Sequence, residues 1–319
     1  MRIGHPAHRP HPSRWPRADG RARARPSATV AAVIGALTRT LRPAQWTKNV
    51  LVAAAPLAAG EASGNTIRAT VIAFVAFCLM SSAVYCVNDI VDVEADRTHP
   101  VKRTRPIAAG QLSPRAAGVA AVVLAAAALV LAVATSTHRL WLALAVYAAT
   151  SLVYCLGAKH LAVIELALVS SGFLLRAIAG GAAAGLPISE WFLIVAAFGS
   201  LLLVAGKRLA ELIALDLEAP RSRRILTGYT VSYLRMVTAI AAGVTCTAYC
   251  LWAFEIGGVR SANWSAVSVA PFVVAVLRYT LDADAGRAEA PDVMLLRDRV
   301  LQVLGLLWLV TFAIGAFDG

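Results

Sequence analysis

The chain has 319 residues, of which 59% are apolar and only 15% charged, and it carries a net charge of +12. That balance excludes an ordinary soluble domain and a disordered chain, and it specifies an integral membrane protein. The positive charge does not point to nucleic acid, because the Lys and Arg residues are spread through loops between apolar stretches, where topology and anionic lipid or substrate account for them.

Residues 1–28 are rich in Arg, Pro and His and lack the apolar core of a secretory signal, so a disordered basic tail on the cytoplasmic side is expected there. From residue 29 to 319 the apolar stretches follow one another closely, which predicts a single all-α domain. Apolar segments fall at about 45–60, 66–87, 115–135, 139–156, 161–183, 189–215, 231–254, 264–281 and 299–317. The expectation is therefore a polytopic membrane protein with nine transmembrane helices, the first short and containing Pro56, and with a tight connection around Ser136 to His138. The five cysteines, Cys78, Cys86, Cys155, Cys246 and Cys250, lie in or at the ends of these segments without a CxxC pair, as packed thiols do.

Nine spans divide the loops into two sets. One set carries only Arg68, Arg139 and Arg260. The other carries nineteen cations: Arg39, Arg42 and Lys48; Arg97, Lys102, Arg103, Arg105 and Arg115; Lys159; Lys207, Arg208, Arg221, Arg223, Arg224 and Arg235; and Arg278, Arg287, Arg297 and Arg299. Lys and Arg favour the cytoplasmic side, so the long polar loops are expected there, in a multi-pass protein of the cell's inner (plasma) membrane.

The second segment runs into YCVNDIVDVEADRTHPVKRTRP, from Tyr85 to Pro106. At 100° per residue Tyr85, Asn88, Asp89, Asp92 and Asp96 fall within an arc of roughly 100° on one helix face. Gathering carboxylates at a helix C-terminus, where the macrodipole is already negative, is unfavourable unless a cation binds there. Hard oxygen ligands suit Mg2+, which takes one or two carboxylates together with substrate phosphates. Asn88, Asp92 and Asp96 are thus candidate metal ligands, with Asp89 and Asp96 also placed to orient ligands or water around the metal. Lys102, Arg103 and Arg105 follow closely as cations for a bound phosphate. Against this stands a solvated acidic helix end beside a basic loop.

Arg176 falls well inside the fifth apolar segment, where an arginine costs about 2.5 to 3.5 kcal/mol on insertion scales. It should face a polar cavity and an anionic partner, either a ligand phosphate or an acid such as Glu165. Lys207 and Glu211 are four residues apart, which fits a plain helical salt bridge as well as a substrate role. Lys48 follows Trp46 at an expected membrane interface, where an anchoring Trp and a snorkelling Lys are common. The Gly180 and Gly181 pair should let helices approach closely.

The stretch NDIVDVEAD, Asn88 to Asp96, resembles the first aspartate-rich motif, NDxxDxxxD, of the UbiA superfamily of intramembrane prenyltransferases. The RPxQWxKN opening at Arg42 to Asn49, KRxRPIAAG from Lys102 to Gly110, YCLGAK from Tyr154 to Lys159 and LRAIAGG from Leu175 to Gly181 support the resemblance. It implies a nine-helix bundle of UbiA type with a cavity open to the cytoplasmic side and laterally to lipid. Members that act on aromatic acceptors carry a second acidic motif, DxxxD, after the sixth helix. Here the corresponding stretch is GKRLAEL, with Lys207, Arg208 and Glu211 where a second magnesium site would be expected.

The whole pattern is similar to the branch in which 5-phosphoribosyl 1-diphosphate donates its sugar to a polyprenyl phosphate such as decaprenyl phosphate, for cell-wall arabinan. That resemblance implies a Mg2+-dependent membrane glycosyltransferase working at the lipid bilayer. It casts Tyr85, Asp89, Tyr154, Lys159, His160 and Arg176 as donor-binding groups alongside Lys102, Arg103 and Arg105, and it raises Lys48 to a phosphate ligand, with Asn49 beside it. Two other readings remain at this point: a prenyltransferase acting on an aromatic or quinone precursor, and a transporter, which would need polar groups through the full membrane thickness. A homo-oligomer is compatible with the sequence.

Overall fold

The computed structural model describes residues 30–135, 137–218, 228–257, 264–288, 294 and 297–317. The expected basic tail over 1–28, Ser136, and Arg221, Arg223, Arg224 and Arg260 of the charge count lie outside the described residues. Every regular element among them is helical. In chain order these are α1 (Val30–Leu41), a 3-10 stretch Pro43–Ala53 leading into α2 (Ala54–Ala58), α3 (Gly64–Val91), α4 (Val93–Thr98), α5 (Pro114–Val133) and α6 (Arg139–Cys155). They continue with α7 (Ile164–Ala184), α8 (Glu190–Glu218), α9 (Val231–Gly257), α10 (Trp264–Val267), α11 (Val269–Asp284) and α12 (Arg299–Phe317).

Among the described residues seven helical stretches are long and apolar enough to cross a membrane: α3, α5, α7, α8, α9, α10 with α11, and α12. The protein is a multi-pass membrane protein. The segment expected at 139–156 is a shorter helix of 17 residues. The segment expected at 45–60 is not a continuous span. Arg42 enters it in the left-handed region at φ 52, Pro43 opens a 3-10 run, and only the five residues of α2 are α-helical. Pro56 lacks the N–H that a longer α-helix would use. The span expected at 264–281 is likewise broken at Ser268, because Pro271 has no N–H for the carbonyl of Val267.

Helix α1 was not among the expected elements. Its buried face, Ala36 with Leu37, packs on Ile107, Leu112 and Ala117 at the end of the bundle, while Val30 and Ile34 are exposed. Ser63 caps α3 by accepting the Thr66 N–H at 3.3 Å, and Ser113 does the same for α5, which opens on Pro114.

The first half of the molecule packs α3, α5, α6 and α7 around Phe77, Met80, Leu140, Leu144 and Tyr147. The entry segment lies directly on α7 at the glycine pair: a Cβ on Gly180 would come within 2.1 Å of the Val52 carbonyl oxygen. This close approach is the role expected of that pair. In the second half α9, α11 and α12 close around Tyr249, whose ring stacks on Phe272 at 3.9 Å and whose hydroxyl accepts from the Trp308 indole at 2.7 Å. All five cysteines are free thiols, three of them buried.

Candidate active site

Most of the candidate side chains lie at one end of the bundle, where α3 finishes, the turn Lys102–Thr104 folds back, the α6–α7 connection passes and α8 approaches its C-terminus. Helix α3 ends at Val91. Asp92 then sits at φ −88 and ψ 4 between α3 and α4, although the Asp96 N–H still donates to its carbonyl at 2.8 Å. This corrects the expectation of one continuous helix face from Tyr85 to Asp96.

The break separates the acids by environment. Asp89 is buried, and its Oδ1 accepts from Arg42 at 2.5 Å and from Arg105 at 3.2 Å. Asp96 is also buried, and its Oδ2 accepts from the same Arg105 guanidinium at 2.7 Å. Two buried carboxylates thus share a fork of two arginines, the geometry in which buried charge is tolerated. Asp92 is half-buried and paired with the ammonium of Lys159. Asn88 lies one turn before Asp92, its Oδ1 3.5 Å from the Cys155 thiol. Among the described residues no group of three His, Cys, Asp or Glu is placed to hold a metal ion, because Asp89 and Asp96 are turned into the arginine fork. Asn88 and Asp92 are the pair whose donor oxygens suit Mg2+, which needs few protein ligands when phosphate and water complete its shell.

Arg42 is not among the residues singled out by sequence for this site. It takes its place through the turn at φ 52, which brings its guanidinium to Asp89 and 4.8 Å above the ring of Tyr85. The only signal available beforehand was its position at the head of the RPxQWxKN stretch. Lys102, Arg103 and His160 are exposed around the site.

A second centre lies deeper. Arg176 is buried, and Nε donates to Asn49 Oδ1 at 2.7 Å, while the two terminal nitrogens donate to the Gly172 carbonyl at 2.7 Å and the Tyr147 hydroxyl at 2.9 Å. Its guanidinium stands 4.7 Å from the Tyr147 ring centre and 5.9 Å from those of Phe77 and Phe173. Among the described residues no carboxylate pairs with it, so the Arg176–Glu165 pair, the alternative to a ligand phosphate, does not form; Glu165 pairs with Arg208. Asn49 is fully buried, and its amide nitrogen also donates to Cys78 Sγ at 3.2 Å, which ties the entry segment to α3.

Glu165 instead belongs to a third cluster. It pairs with Arg208, whose other nitrogen donates to Glu211 at 2.7 Å, and Lys207 lies 3.7 Å from Glu211. The Tyr229 hydroxyl accepts the Val163 N–H at 2.7 Å and faces Glu165 at 3.5 Å. Burial pushes this phenol above its ordinary pKa, so it remains a donor to the carboxylate. Tyr154 lies in the last turn of α6, which leads into the Lys159 turn.

The model of the UbiA prenyltransferase family matches residues 49–297. A decaprenyl-phosphate phosphoribosyltransferase of Mycobacterium tuberculosis is 48% identical over 287 residues, covering 88% of this chain and 93% of that protein. One of Corynebacterium glutamicum is also 48% identical, covering 88% of this chain and 86% of its own length. Among solved structures, a UbiA homolog from Archaeoglobus fulgidus bound to GPP and Mg2+ superposes with a TM-score of 0.64 at 17% identity, over 89% of this chain and all of the other. By family model and by relatives alike, the chain belongs to the UbiA prenyltransferase family.

Proposed function

We propose that this protein transfers the 5-phosphoribosyl group from 5-phosphoribosyl 1-diphosphate to a polyprenyl phosphate of the decaprenyl type, releasing diphosphate. The observation that carries the reading is the 48% identity, across 88% of the chain, to proteins named for that activity. In the reaction a phosphate oxygen of the lipid forms a bond to C1 of the ribose. The bond from C1 to the diphosphate oxygen breaks, and the electron pair leaves with diphosphate. The attacking oxygen is already anionic, so no strong general base is needed. What the protein must supply is cations for the leaving group and orientation for the two substrates.

Lys159, Arg105, Arg42, Lys102 and Arg103 ring the Asn88 and Asp92 end of α3 and provide that charge. Asn88 and Asp92 are the residues we assign to Mg2+, which when bound supplies Lewis-acid neutralisation of the diphosphate oxygens. Asp89 and Asp96 hold the arginines in position. The aromatic-acceptor alternative is not favoured, since Lys207, Arg208 and Glu211 form a self-neutralising cluster with Glu165 where that reading wants a second pair of carboxylates.

The cation bias of the loops supports a site facing the cytoplasm, from which a highly charged sugar donor arrives and into which the lipid phosphate reaches from the inner leaflet. Purified protein given labelled donor and polyprenyl phosphate should yield labelled lipid and stop in excess EDTA. In sealed vesicles, inverted membranes should react at once and right-side-out membranes only after permeabilisation. Product from an aromatic acceptor with an isoprenyl diphosphate, and none from the phosphoribosyl donor, would overturn the reading.

A further inference from the structure

Of Asp89, Asp92 and Asp96, only Asp92 has a partner that can readily be exchanged. Asp89 and Asp96 are 2% and 4% exposed at their side chains and are bound to arginines, whereas Asp92 is 23% exposed and its ion pair is with Lys159. Lys159 rides on a single 3-10 turn, Ala158–His160, in the connection between α6 and α7. That connection is open at one end and anchored at the other. At the open end Gly157 takes φ 140, and no atom lies within 4 Å of where its Cβ would be. At the anchored end Val163, a β-branched residue at φ 70, occupies a conformation such residues rarely adopt. Tyr229 pins it there by accepting its N–H, and Tyr229 is in turn set against Glu165. The Lys159 turn is thus a short strap, fixed to the Glu165 cluster and resting by its ammonium on the carboxylate assigned to the metal.

We propose that Lys159 is a placeholder cation. In the donor-free protein its ammonium neutralises Asp92 at the position a divalent metal takes, and it moves to a phosphate of the donor when donor and metal arrive together. The inference rests on the assignment of Asn88 and Asp92 to the metal made above. Its physical basis is competition for one carboxylate. A metal ion arriving alone must displace an ion pair and strand a half-buried ammonium. With the sugar diphosphate present, the displaced ammonium gains a new anionic partner at once. Metal and donor should therefore bind with positive coupling, and the coupling should be lost when Lys159 loses its charge.

The test is direct Mn2+ binding to the detergent-solubilised full chain, followed by the free-ion signal in electron paramagnetic resonance. Wild type, Lys159→Met, Lys159→Gln and Asp92→Asn are compared without and with 5-phosphoribosyl 1-diphosphate, after correction for Mn2+ bound by the donor itself. Without donor, the two Lys159 variants should bind Mn2+ at least about fivefold more tightly than wild type, the lower end of ordinary coupling factors. Donor should tighten Mn2+ binding in wild type and do so much less in the variants. Two independent neutral replacements, each checked for a monodisperse elution profile, guard against a folding defect in either. If both bind donor-free Mn2+ no better than wild type while Asp92→Asn loses donor-dependent Mn2+, the placeholder role is overturned and the metal assignment stands. If wild type takes up no Mn2+ even with donor, the metal assignment fails and the placeholder falls with it.

Discussion

The carboxylates at the end of α3 and those on α7 and α8 are neutralised in opposite ways. Around α3, Asp89, Asp92 and Asp96 are matched by Arg42, Arg105 and Lys159, all reaching in from other elements. Around α8, Glu165 and Glu211 are matched by Arg208 and Lys207 on α8 itself, so Glu165 alone comes from another helix. The first arrangement leaves further cations, Lys102 and Arg103, exposed at its rim and keeps Asp92 half-open. The second closes on itself. A set of charges drawn from separate strands of chain can exchange partners with a ligand, while a set built mostly on one helix serves to hold helices in register.

The largest test of this contrast is removal of the open acid. Asp92→Ala and Asn88→Ala should each lower sugar transfer by at least about 100-fold, the scale on which loss of one charge-stabilising group is felt in a water-poor site. Both should leave the melting temperature in detergent close to that of wild type, because Asp92 is 23% exposed with a single partly exposed lysine as its partner and Asn88 makes only a 3.5 Å contact with the Cys155 thiol. A variant that melts early would move Asp92 into the structural class and erase the distinction.

Next in size is the buried guanidinium. Hydrogen bonds to charged groups contribute about 1.5–3 kcal/mol, and Arg176 makes three in different directions. Arg176→Ala should destabilise the fold by about 3 kcal/mol, and Arg176→Lys should not restore it, since an ammonium cannot reach all three acceptors. In a double-mutant cycle with Asn49→Ala the losses should be clearly non-additive. Additive losses would mean that the Asn49 contact adds nothing and that Arg176 answers to something else, such as a ligand phosphate.

Arg176 also marks how far sequence reasoning reached. The cost of an arginine in an apolar segment demanded a polar surrounding and an anionic partner, either a ligand phosphate or an acid such as Glu165. The fold supplies an amide, a carbonyl, a phenol and aromatic faces, which no local pattern announces because Asn49, Tyr147 and Arg176 are brought together from three distant stretches. The same holds at the acids. The four-residue repeat of Asn88, Asp92 and Asp96 was legible, and so was the nearness of basic residues. Which base meets which acid was not, because the break at Asp92 rotates Asp96 toward Arg105 and a left-handed turn at Arg42 carries that residue to Asp89. Membrane class and most helices were legible from apolar length alone. The entry segment and α1 were not, because a 3-10 run through TKN and a twelve-residue helix whose last turn, Thr38 to Leu41, is mostly polar lack the uninterrupted apolar length that gives spans their signal.

A smaller effect is expected at the closed cluster. Glu165→Gln leaves Arg208 with only Glu211 as its acid, and Arg208 is a third exposed, so solvent recovers part of the loss. The expected destabilisation is about 2 kcal/mol, below the ~3–5 kcal/mol of a fully buried pair broken on one side. Transfer by the folded fraction should fall far less than in Asp92→Ala. Equal falls would show that the cluster takes part in holding substrate.

The smallest effect separates two uses of Lys207. Its ammonium is 3.7 Å from Glu211 on the same helix, and the two side chains are 48% and 32% exposed. An exposed pair at this spacing contributes about 0.3–0.5 kcal/mol, so Lys207→Met should shift thermal stability by no more than that. The comparison of the clusters further requires that this variant keep transfer within about threefold of wild type, since ~0.5 kcal/mol corresponds to little more than a factor of two. Rates measured at saturating and at limiting donor, and again at limiting lipid, decide it. Should transfer fall more than about tenfold with melting unchanged, Lys207 would be a cation that exchanges Glu211 for a substrate phosphate. The α8 cluster would then share the character of the Asp92 end, with Arg208 held fixed by Glu165 so that Lys207 beside it is free to move.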